Sequence, residues 1–123
     1  MLTVCSLDDF NSHESDYNFL IVRSLLYNVP NVTQYEGLSP SLKLFTETLD
    51  AKKINKNWFD SFSKKFLKEM QTPEYQASRF MIEELLNENY DVTLMCYCKD
   101  YNLCHRSLVA KDFENRGYQV LLK

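Results

Sequence analysis

Glycine is almost missing from this chain: its 123 residues include only Gly37 and Gly117. A dinucleotide-binding fingerprint and a Walker A loop each need several glycines at fixed spacing, so both are excluded. No cofactor is expected, and any phosphate has to be held without a glycine-rich cradle. Long apolar runs are missing too. None approaches the roughly 18 residues that cross a bilayer, so no membrane partner is expected. The opening residues, Met1-Leu2-Thr3-Val4-Cys5-Ser6, lack the charged and apolar regions of a signal peptide. A cytoplasmic location is the expectation. There is no basic surplus either, with 14 Lys and Arg against 17 Asp and Glu and a net charge of −3. Dedicated nucleic-acid binders usually show a strongly basic balance, so nucleic acid is not the expected partner. A local patch at Lys52, Lys53, Lys56, Lys64, Lys65 and Lys68 leaves that partner open, but such a run reads better as a solvated helix face.

Apolar side chains are plentiful. They make up 45% of the chain and include eight Tyr, eight Phe and Trp58, enough to build a core. The length suits one domain, expected to span residues 1–123, since domains commonly run about 100–150 residues. Three of the four cysteines, Cys96, Cys98 and Cys104, fall within nine residues, with Cys5 apart. In a chain with no secretory signature, metal binding, thiol chemistry and plain packing are the alternatives to a disulfide framework.

The pattern predicts strands alternating with helices. Leu2–Cys5 reads as a first strand. Ser6 and Asp9 have capping-box-like spacing for a short helix. Phe19–Val22 is an apolar run suited to a strand buried on both faces, and Arg23 follows at its carboxyl end. Residues 24–38 read as a long connection over the sheet edge. Ser39-Pro40 is an N-cap and N1 pair for a helix to about Leu49. Trp58, Phe62, Phe66 and Met70 recur every four residues as an apolar helical stripe. Thr72-Pro73 starts another helix, expected to bury Phe80, Met81 and Leu85 or nearby positions. Val92–Tyr97 is the strongest strand signal. Cys98–Cys104 is a loop, and a helix from about His105 to Asn115 stops at Gly117. Tyr118–Leu122 is a last strand. The expected fold is three-layer α/β, with a short, mainly parallel sheet and helices on both faces. Ligands of such sheets sit beyond the strands' carboxyl ends, where Arg23 and the 98–106 loop fall.

The chemistry is concentrated in Cys96-Tyr97-Cys98-Lys99-Asp100-Tyr101-Asn102-Leu103-Cys104-His105-Arg106. The first amides of a helix lack internal partners and carry partial positive charge. Arg106 in that first turn opposes the dipole by roughly 0.3–1 kcal/mol if exposed. An anion held by those amides, Arg106, Lys99, Cys104 and Arg23 removes the cost. The competing reading pairs Arg106 with Asp100, Asp112 or a chain carbonyl, with nothing bound. Cys98, near a helix start and flanked by cations, is a candidate nucleophile. The spacing is not that of a cysteine phosphatase loop, whose Arg follows its Cys by six residues; Arg106 is eight after Cys98. His105 and Asp100 are candidates for proton transfer. Tyr97 and Tyr101 can stack on a base or sugar, although tyrosines more often pack. His13 lies in a polar stretch and is discounted. Zinc held by Cys96, Cys98, Cys104 and His105 is an alternative. Cys96 and Cys98, at i and i+2, can face one way, but adjacent Cys104 and His105 are expected to have difficulty reaching one ion.

The run from Thr93 to Asp100, followed by Cys104-His105-Arg106-Ser107-Leu108-Val109-Ala110, resembles the signature of the DUF488 family of bacterial and phage proteins. Leu20-Ile21-Val22-Arg23 resembles that family's first Arg-ending strand. Ser39-Pro40-Ser41 and Phe62 with Phe66 resemble its middle helices. The resemblance covers about residues 1–120. It implies a compact three-layer α/β fold and makes Arg23, Cys96, Lys99, Asp100, Cys104, His105 and Arg106 functional positions, without bringing an established reaction. Residues 24–30 depart from the Pro- and Arg-rich segment common there, and Cys98 is not general in the family. The preferred expectation is a small anionic ligand, phosphate-containing or nucleotide-like, with catalysis left open. A zinc or thiol module and a non-enzymatic protein-interaction factor of phage–host type are the alternatives.

Overall fold

The computed structural model describes residues 1–10, 15–26 and 28–123; His13 lies outside them. Five strands form one sheet: β1 (Leu2–Ser6), β2 (Tyr17–Leu20), β3 (Thr33–Gln34), β4 (Val92–Cys96) and β5 (Val120–Leu122). Their order is β3-β2-β4-β1-β5, and every pairing is parallel. Four α-helices accompany them: α1 (Leu42–Ile54), α2 (Trp58–Glu69), α3 (Pro73–Asn87) and α4 (His105–Asn115). The fold is three-layer α/β. No helix among the described residues is long and apolar enough to cross a membrane.

Alternation along the strands sorts side chains onto two faces. Leu2 and Val4 of β1, with Val92, Leu94 and Cys96 of β4, join the larger core. All four α-helices feed it, through Leu44, Phe62, Phe66, Ile82, Val109 and Phe113 among others. Cys5, Leu20 and Met95 form a smaller cluster, covered by Leu7 of the 3-10 turn Leu7–Asp9 and by Phe10, Val22, Val32 and Tyr97. β1 and β4 are buried along their whole length, as continuous apolar runs in a parallel sheet require.

The sequence signals hold best where a cap or stop is explicit. Thr72 accepts from the Tyr75 N–H with Pro73 inside the first turn of α3, and Gly117 (φ +94°) sits just past α4. Four details differ. The first α-helix starts at Ser41 rather than Ser39: Ser41 Oγ accepts from Leu44 N–H at 3.1 Å, and Glu69 of α2 accepts both the Ser41 N–H and its hydroxyl. Ser39 instead closes the 3-10 turn Glu36–Leu38 through its N–H and hydroxyl on the Glu36 carbonyl. Phe80 and Met81 are exposed, because α3 turns Tyr75 and Ile82 inward, with half-buried Leu85 following. Residues 24–38 are more than a connection, since they contain edge strand β3 and that 3-10 turn. β2 spans Tyr17–Leu20, ahead of the expected 19–22; Ile21 still donates its N–H to Met95 O at 2.9 Å.

Candidate functional site

With all strands parallel, their carboxyl ends share one edge of the sheet. β4 brings Cys96 there, 1% exposed and facing the larger core. Cys98 lies two residues on and is partly buried against that core. The chain then makes the 3-10 turn Tyr101–Leu103. Asp100 Oδ1 accepts the Asn102 N–H at 3.0 Å, and Cys104 donates its N–H to Tyr101 O. Cys104 is extended (φ −134°, ψ 142°) and occupies the N-cap position of α4, which has no side-chain cap hydrogen bond.

This change from extended to helical backbone lets two adjacent residues face one place. Cys104 Sγ lies 2.7 Å from Cys96 Sγ and 3.9 Å from His105 Nδ1. The three ligand-type atoms all lie within 4.8 Å of one another. His105 Nε2 is 2.8 Å from the Ile21 carbonyl. A carbonyl only accepts, so Nε2 carries the hydrogen and Nδ1 keeps its lone pair toward the sulfurs. Burial holds the His105 pKa below its ordinary value, against the pull of the Ile21 carbonyl.

The three thiols share charge unequally. Hydrogen bonds from Cys104 and then Cys96 lower the Cys98 pKa strongly, with His105 and Lys52 adding to this against the effect of burial. Cys96 moves up because its hydrogen bonds to Cys104 and Cys98 favour the protonated thiol. Cys104 is pushed up to about 11: the hydrogen bond with Cys96 pulls it down, and Cys98 and burial outweigh that.

Arg106 is 2% exposed and turned inward. Its Nη1 donates to Cys98 O at 2.6 Å and to Cys96 Sγ at 3.5 Å, and Nη2 donates to Lys99 O at 3.4 Å. Its guanidinium carbon stands 5.6 Å from the Tyr101 ring centre. The guanidinium thus staples the thiol loop through two chain carbonyls. Nε is buried with no hydrogen-bond partner.

Beside the sulfurs opens a cavity of about 230 Å³. The segment after β2 contributes Val22, Arg23 and Leu26; α1 contributes Phe45, Thr48 and Lys52; α2 contributes Trp58 and Phe62. Cys96, Cys98, Cys104 and His105 line it as well. Arg23 Nε donates to Pro40 O at 2.8 Å, while its Nη1 is 4.0 Å from Glu36. Lys52 Nζ stands 4.5 Å from the Trp58 ring centre. The structure therefore brings Arg23, Cys98, Cys104 and His105 to one cavity. It does not bring Lys99, Asp100 or Arg106 to that lining. Lys99 is 87% exposed, with Nζ 3.9 Å from Asp8, and Asp100 caps the 3-10 turn. Lys52 is exposed, as a solvated helix face requires, and it also lines the cavity. Its spacing from Phe45 and Thr48 (i, i+3, i+7) is the signal that puts all three on one helical face.

A family model described as "DUF488-N3a: Active DUF488-N3 subclade" matches residues 2–117, and the chain belongs to this family. No curated protein and no solved structure gives a significant match.

Proposed function

We propose that this DUF488-family chain binds a small anionic ligand, phosphate-containing or nucleotide-like, in the cavity at the carboxyl edge of its sheet. The observation that carries the reading is the make-up of that cavity. Two cations, Lys52 and Arg23, stand among aromatic and aliphatic walls, with a polar end of thiols and imidazole. Aromatic and aliphatic walls with a few polar groups are the usual form of a small-ligand pocket. Trp58, Phe62 and Phe45 suit a flat apolar body, and a cation on a flexible stem suits a phosphate. Arg106 serves this site indirectly, by fixing the loop that carries Cys98. Of the three side chains the sequence marked for chemistry, Cys98 and His105 are the ones a bound ligand meets. Asp100 holds the loop's shape.

Thermal shift with inorganic phosphate, nucleotides and nucleotide sugars tests this. One class should raise the melting temperature in proportion to RT ln(1 + [L]/Kd), and Lys52→Ala should remove most of that rise while leaving the unliganded melting temperature nearly unchanged. Equal melting with and without every probe overturns the reading.

A further inference from the structure

We propose that Cys96, Cys98, Cys104 and His105 form a tetrahedral site for one zinc-class divalent cation at the inner end of the cavity. This goes beyond the ligand reading and does not depend on what the cavity holds.

Three observations carry it. The first is distance. Zn–S bonds of about 2.3 Å and Zn–N bonds of about 2.0–2.1 Å put tetrahedral ligand atoms roughly 3.4–3.8 Å apart. Cys104 Sγ and His105 Nδ1 are 3.9 Å apart, and Cys96 Sγ stands 2.7 Å from Cys104 Sγ. Parting the two sulfurs by about 1 Å meets that spacing. The second is the histidine's tautomer. A metal-binding imidazole usually donates its other N–H to a carbonyl or carboxylate, which fixes the ring. Here the Ile21 carbonyl accepts from Nε2, and Nδ1 stands 3.9 Å from Cys104 Sγ. The third is the charge around the sulfurs. Arg106 Nη1 donates to Cys96 Sγ, and the uncapped amino end of α4 starts at Cys104. Both place positive charge beside the sulfurs, where it offsets the net negative charge of a divalent cation held by three thiolates. Cys98 stands outside the three ligand atoms that lie within 4.8 Å of one another, but it lines the same cavity, from which its side chain turns in as the fourth ligand. Three sulfurs and one imidazole nitrogen favour zinc over calcium or magnesium, which take oxygen ligands.

The full-length protein, purified without chelator, should carry close to one zinc per chain by elemental analysis. Metal-free protein titrated with cobalt(II) should develop the visible bands of tetrahedral cobalt and a thiolate-to-cobalt charge-transfer band, saturating at one equivalent. Cys98→Ser should weaken cobalt binding at least tenfold and reduce the charge-transfer intensity, while Cys5→Ala should leave both unchanged. Because Cys104→Ser risks the fold, the wild-type cobalt spectrum is the deciding measurement. Absence of a charge-transfer band, or a band that Cys98→Ser leaves intact, overturns the four-ligand site. A cobalt spectrum without any phosphate or nucleotide shift leaves the metal centre standing and removes the ligand reading; the reverse pattern removes only the metal.

Discussion

Replacing Arg106 distinguishes a staple from an exposed anion clamp. Its guanidinium is buried against Cys98 O, Lys99 O and Cys96 Sγ, with the Tyr101 ring nearby. The 2.6 Å bond to Cys98 O is the strong one, and a hydrogen bond from a charged donor contributes about 1.5–3 kcal/mol. The 3.4 Å bond is weak, and the ring adds about 0.5–1 kcal/mol. Opposing this is the cost of burying a cation whose Nε has no partner, a cost that an apolar side chain avoids. Arg106→Met should therefore lose about 2–3 kcal/mol in denaturant melts without any ligand. For a chain of this size that is roughly 8–15 °C in melting temperature. Total stabilities of 5–15 kcal/mol leave such a variant folded. Arg106→Lys should do no better than Met, because a single ammonium cannot span both carbonyls as the planar fork does. An exposed anion clamp behaves oppositely: Lys keeps the charge and stability is untouched. Wild-type stability in Arg106→Lys, with less than about 0.5 kcal/mol lost in Arg106→Met, would refute the staple; surface substitutions usually fall within that range.

Two further outcomes follow from the same geometry. A Cβ on Gly37 would stand 1.9 Å from Ser78 Oγ and 2.7 Å from Ser78 Cβ. Gly37→Ala should cost about 1–3 kcal/mol, as overpacking does, and Gly37→Ala with Ser78→Gly should recover most of it; no recovery would place the cost elsewhere. His105 gives a pH dependence in metal-free protein. Its folded pKa lies below the ordinary 6.5, so below that pH the unfolded chain takes up a proton that the folded chain refuses. This part of the stability is complete above about pH 7. It falls by up to ~1.4 kcal/mol per unit as pH drops through the window between the two values. His105→Gln should flatten that part of the profile, and an unchanged slope would assign it to another group.

The fold was legible where local chemistry speaks alone. Thr72-Pro73 and Gly117 mark helix ends through hydrogen-bond and dihedral constraints that need no distant partner. The largely apolar stretch Val92–Tyr97 carries the strongest strand signal, and β4 fills most of it (Val92–Cys96) as a strand buried along its length. Ser39-Pro40 carries the local start signal for the first helix, yet the structure starts it at Ser41, since either hydroxyl can cap a helix. Glu69, twenty-eight residues away from Ser41, settles the choice. Likewise Phe80 and Met81 match a helical stripe almost as well as Tyr75 and Ile82. Only the packing of α3 decides which side faces the sheet.

The site divides the same way. By itself, the sequence determined that thiols, imidazole and guanidinium gather between one strand and one helix, because neighbours in the chain must be neighbours in space. The direction each group faces belongs to the tertiary structure. Arg106 turns inward because loop carbonyls offer it partners in the low-dielectric interior, where an unpaired charge is costly. Cys104 and His105, whose adjacency argued against a shared ion, converge because the backbone passes from extended to helical between them. Lys52 and Trp58 reach the cavity only because α1 and α2 fold back over the strand ends. The i, i+3, i+7 spacing of Phe45, Thr48 and Lys52 puts them on one helical face, but what that face meets is decided by the long-range packing.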